Sequence, residues 1–185
     1  MPDVNHSSLT DPYLHEPKGV AAAAAGDVYI ADGAGSGSWS QAFQYASINT
    51  IETNAQTVST IGTTPKTLPF TNNGPDNVEV SDAANNRITL TDAGVYFITF
   101  RVTFFTSAPG DAGLYEFKVL DDGVATGLAL ARQMSGSSDT GTAAIAGLMT
   151  AGAGSHITVS VESDDAGNND DIGIYSSNLV AFKVG

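Results

Sequence analysis

The chain has 185 residues, 42% of them hydrophobic and only 15% charged, which gives room for one core-bearing domain plus an arm. Its 20 acidic against 7 basic side chains, a formal net charge of -13, disfavour a nucleic-acid partner, and the absence of cysteine excludes disulfides and thiol chemistry. Gly, Ala, Ser, Thr and Asn fill the place of charged residues, a mixture suited to short strands and tight turns rather than helices.

Residues 1–40 read as an extended arm. Pro2, Pro12 and Pro17 interrupt regular structure, no signal-like apolar stretch is present, and the run Ala21–Ala25 is too short to enter a membrane. Val28 and Ile30 have the spacing of one strand face with Tyr29 on the other, ahead of a flexible Gly33–Ser38 stretch. The arm cannot bury enough surface to fold alone, so it is expected to order on a partner. Tyr13, Leu14, Val28, Tyr29, Ile30 and Trp39 are the candidate attachment residues, being costly to leave in water.

Residues 41–185 read as a succession of strands. In chain order these are Phe43–Glu52, Gln56–Ile61, Thr64–Phe70, Val78–Val80, Arg87–Leu90 and Val95–Thr106. Gly113–Leu120, Val124–Arg132, Thr142–Met149, His156–Glu162 and Ile172–Val184, broken near Ser176, follow. Turn signals separate them at Asn72-Asn73-Gly74-Pro75, Asp92-Ala93-Gly94, Pro109-Gly110-Asp111, Asp121-Asp122-Gly123 and Gly152-Ala153-Gly154. In the clearest strand Tyr96, Ile98, Phe100, Val102 and Phe104 share one face, and Val95, Phe97, Thr99, Arg101, Thr103 and Phe105 form a mixed opposite face. Ile157, Val159 and Val161 alternate in the same way, and no long stretch has helical period. The fold class is all-β, a sandwich or barrel.

Residues able to carry chemistry are few. The segment Glu162–Asp171 packs carboxylates closely, and Asp164, Asp165, Asp170 and Asp171 are candidate ligands for Ca²⁺, although the spacing is not that of an EF-hand loop. No other cofactor is expected. His6, His15 and His156 show no zinc spacing, and no Gly-x-Ser-x-Gly elbow or phosphate loop is present, so no catalytic residue is assigned.

The segment Ile88–Phe100, with Gly94-Val95-Tyr96 at its centre, resembles the strand, turn and Gly-x-Tyr core of the C1q/tumour-necrosis-factor jelly roll. Leu148–Val159 and Leu179–Val184 resemble that family's later turn and its closing strand, which lies centrally in the fold. Two departures stand out: Gly-Ala-Gly-Ser replaces the usual Gly-Asp turn, and Tyr175-Ser176-Ser177-Asn178 replaces the usual segment before the last strand. The resemblance implies a jelly-roll β-sandwich that assembles as a homotrimer. The arm resembles leaders of tailed-phage virion proteins. Together these imply a non-enzymatic capsid decoration or head-fibre protein, made in the host cytoplasm, docked on the major capsid protein by its arm and displayed on the outer surface of the virion. The alternative is a tail-fibre tip that recognises a host surface receptor, with a hydrolase on a β scaffold a distant third.

Overall fold

The computed structural model describes residues 23–31, 37–106, 109–136, 139–167 and 170–185. The chain divides into two units, 1–42 and 43–185. Within the first, β1 (Asp27–Ala31) and β2 (Gly37–Gln41) pair antiparallel, so Gly37 and Ser38 belong to a strand rather than to the flexible stretch expected there. The Asp27 carboxylate ties the hairpin mouth by accepting from the Ala24 N–H and from the Gln41 amide.

The second unit is built from β3 (Tyr45–Thr50), β4 (Gln56–Ile61), β5 (Lys66–Thr67), β6 (Asn72–Asn73), β7 (Val80–Asp82) and β8 (Arg87–Thr89). It continues with β9 (Gly94–Thr106), β10 (Gly113–Asp121), β11 (Val124–Met134), β12 (Thr140–Ala151), β13 (His156–Ser163) and β14 (Asp170–Lys183). One antiparallel sheet has the order β11-β10-β13-β8-β7, with β5 also on β13. The other has the order β12-β9-β14-β3-β6, with β4 also on β14. The two pack as a sandwich, and β14 sits centrally between β9 and β3, where the closing strand was expected.

Period-two alternation supplies the core. Tyr96, Ile98, Phe100, Val102 and Phe104 of β9 are buried and face Tyr115, Phe117 and Val119 of β10 and Ile157, Val159 and Val161 of β13. Phe104 meets Phe117 and Tyr115 edge-on at centroid separations of 5.1 and 5.7 Å, the geometry the ring quadrupoles favour. The Tyr96 hydroxyl reaches two acceptors, Glu79 Oε1 at 2.8 Å and the Asp92 carbonyl at 2.7 Å. Burial first, and then the Glu79 carboxylate, hold this phenol well above the ordinary tyrosine range.

Three local expectations change. Gly94 has no positive φ. Its place is fixed by crowding, since a Cβ there would run into the Gly185 carbonyl, which accepts from the Val95 N–H as the chain end folds back on β9. Asn72 and Asn73, expected as a turn, form the short edge strand β6 on β3. Val78, expected to open a strand, instead has φ 69°, a left-handed conformation that β-branched residues rarely adopt. Replacing it by Asn, which tolerates that region, is expected to raise stability by roughly 1 kcal/mol in a denaturant melt. Val78→Ile should bring no gain.

Candidate functional site

The outward faces of the two sheets differ in charge. On the β10 side, Lys118 is held by Glu162 at 2.6 Å and Glu116 at 3.1 Å, and these partners push its ammonium above the usual lysine range. That is an ordinary solvated face. On the other sheet, β3, β9 and β12 together carry a single charged residue, Arg101. In a chain with 20 carboxylates this face has none on those three strands.

Register lays out what the face presents. Leu148, Phe97, Phe182 and Tyr45 form one row across β12, β9, β14 and β3. Leu148 is 62% and Phe97 40% exposed, and Phe43 adds its ring to Phe182 at 5.9 Å. The next rows are Ala146, Thr99, Val180 and Ser47, then Ala144, Arg101, Asn178 and Asn49. The short alanines of β12 leave a shallow depression of about 380 Å³ bordered by Thr99, Arg101, Ala144, Ala146 and Asn178. At the far end the Phe105 ring lies where a side chain on Gly173 would be, and stacks on Tyr175 at 4.5 Å. Tyr175 is the extra residue of a bulge between Ile174 and Ser176, which is the break expected near Ser176. An aromatic-bearing surface with no carboxylate on β3, β9 or β12 is suited to burial against another protein surface.

Of the candidate attachment residues, Val28 and Ile30 lie on one face of β1 at 43% and 52% exposure, while Tyr29 turns to the other and meets Trp39 at 5.4 Å. Tyr13 and Leu14 lie outside the described residues.

The four candidate Ca²⁺ ligands do not converge as one loop. Asp171 Oδ1 accepts from the Thr60 N–H at 2.8 Å and Asp165 Oδ1 from the Gly167 N–H at 2.9 Å. Asp164 Oδ1 accepts from the Leu114 N–H at 2.9 Å. Asp170 is buried, and its carboxyl is pushed above the ordinary range by that burial, with the Ser163 hydroxyl opposing and the nearby Asp165 and Asp111 charges reinforcing it. Asp111, which the loop reading omits because it lies in the turn before β10, is brought to the same end of the sandwich. No three carboxylate, imidazole or thiol groups of the described residues stand close enough together to hold a metal ion unaided.

No family model and no curated protein matches the sequence. Solved structures do match in shape. Eiger TNF from S. frugiperda aligns over 77% of this chain and 93% of its own, at TM-score 0.57 and 14% identity. The globular domain of zebrafish complement 1qA protein aligns over 77% and 97%, at TM-score 0.54 and 14% identity. Murine APRIL aligns over 76% and 100%, at TM-score 0.51 and 14% identity. At such identities the likeness concerns architecture, and the architecture of the chain is the C1q/tumour-necrosis-factor jelly roll.

Proposed function

We propose that this chain is a non-enzymatic structural protein that assembles as a homotrimer through the outward face of the β12-β9-β14-β3 sheet, and that its N-terminal unit seats the trimer on a virus capsid. The observation that carries the reading is the face itself: aromatic, dented and without a carboxylate on β3, β9 and β12 in a chain of net charge -13. Burying it against copies of itself removes apolar surface from water and keeps the acidic surfaces outside, where salt screens their repulsion. The jelly-roll architecture supports a three-fold arrangement, since the family it resembles is built that way. The capsid seat is supported by the leader-like sequence of residues 1–40 and by Val28 and Ile30, exposed side by side on a hairpin too small to stabilise itself.

Light scattering of the purified chain is expected to give three times the monomer mass of 18.9 kDa. Rebinding to capsids of the source virus is expected for the full chain and lost when residues 1–40 are removed, with the trimer intact. A monomer at micromolar concentration would overturn the assembly reading. Binding at the tail alone, or capsid binding indifferent to the deletion, would overturn the decoration reading in favour of a receptor-binding tip.

A further inference from the structure

We infer that the end of the sandwich where Asp164 and Asp170 border Gly113 is a binding site for a hard divalent cation, Ca²⁺ by its chemistry. Asp170, the first residue of β14, is 1% exposed, and its Oδ2 has no hydrogen-bond partner. An anionic oxygen withdrawn from water without a donor is what a fold avoids unless something positive serves it. The Ser163 and Tyr115 hydroxyls lie beside the Asp170 carboxylate, Tyr115 also donating to the Asp111 carbonyl at 2.8 Å, but neither serves Oδ2. Among the described residues no Lys, Arg or His pairs with Asp164 or Asp170.

Gly113 shows where the cation goes. A Cβ built on it would lie 2.9 Å from Asp164 Oδ1 and 3.3 Å from Asp170 Oδ2, so the two carboxylate oxygens border one small space that the glycine keeps open. The Leu114 N–H orients Asp164 and occupies one lone pair of Oδ1, leaving the rest of the carboxylate to turn inward. Asp164 is exposed, which gives an ion a path in from solvent, and the buried Asp111 adds negative potential behind.

The donor set also selects the metal. With two carboxylates in the first rank, the remaining ligands must be backbone carbonyls and water. Ca²⁺ accepts that, taking six to eight oxygens in flexible geometry at 2.3–2.6 Å. Zn²⁺ wants nitrogen or sulfur, and Mg²⁺ wants a near-ideal octahedron. Bound there, the ion would tie the chain leaving β13 to the start of β14, joining the two sheets at one end.

The test uses the full chain stripped with EDTA and titrated with CaCl2 by calorimetry and by thermal melting, with MgCl2 and NaCl at matched ionic strength. Saturable binding of one Ca²⁺ per chain is expected, with an upward shift in melting temperature on the order of 5 °C at a hundred times the dissociation constant. In Asp170→Asn the shift should vanish while the EDTA-treated protein melts no lower than the parent. Asp164→Asn, at an exposed position, should weaken Ca²⁺ at least tenfold, and the remote Glu52→Gln should leave it unchanged. A flat calorimetric trace, or a Ca²⁺ shift that survives in both aspartate variants, would overturn the assignment.

Discussion

Leu148→Asp is expected to convert the assembled protein to monomers that melt almost as the isolated parent domain would. The side chain is 62% exposed at the end of the row that includes Phe97 and Phe182, so in a single domain it touches little. A surface change of that sort costs within about 0.5 kcal/mol of fold stability. In the assembly the carboxylate would be pressed into an apolar contact in every copy. Burying an unpaired charge costs several kcal/mol, even where the group relaxes by taking up a proton. One such site is enough to weaken association by about a thousandfold, since 4.1 kcal/mol separates those affinities. Sedimentation at micromolar concentration reads the outcome. Val124→Asp is the control: Val124 is 70% exposed on β11, at the edge of the other sheet, and should leave the mass unchanged. If Leu148→Asp sediments as the parent does, the charge-poor face is not the contact.

The second large effect is expected at the buried pair of Glu79 and Tyr96. Glu79 is 2% exposed, its Oε2 accepts from the Thr91 N–H, and its Oε1 accepts from the Tyr96 hydroxyl at 2.8 Å. Tyr96→Phe keeps the ring in the core and removes only the oxygen. Glu79 Oε1 and the Asp92 carbonyl, which share the one hydroxyl proton, then both lose it, a deficit of about 1–3 kcal/mol. A fall of roughly 5–10 °C in melting temperature is expected. Adding Glu79→Gln should restore part of it, because the buried negative charge goes as well. A double variant no more stable than Tyr96→Phe would mean the hydroxyl acts through packing rather than through Glu79.

The sheet strands were legible where one face is buried continuously. β9 and β13 show it best: a one-residue slip would have exposed five large side chains in the first and three in the second, so their alternation could be read directly. β6 was not legible, because two asparagines before Gly-Pro carry every local mark of a turn and pair with β3 only through tertiary context. Gly94 reads in the sequence as part of a turn, whereas in the fold it opens β9. Its neighbour is the far end of the chain, ninety-one positions away, and no local pattern announces that. The charge-poor face lay in plain view as three uncharged or nearly uncharged segments, yet only the sheet order shows that they are adjacent. The carboxylate group behaved similarly. Reading along the loop supplied Asp171, which faces Thr60, and missed Asp111, which the fold delivers from another loop.

The central position of β14 bears on the order in which the protein can be made. This strand follows every other strand of the sandwich in the chain, and it joins β9 on one side to β3 and β4 on the other. Until it arrives, β9 and β12 form one half of a sheet and β3 the other, each with an open edge. Such half-sheets are adhesive, and closing them across so long a separation along the chain is slow. Folding of residues 43–185 therefore waits for β14, and a nascent chain stalled before Asp170 would be prone to aggregate. Productive expression will depend on holding neighbouring nascent chains apart until β14 is free to insert.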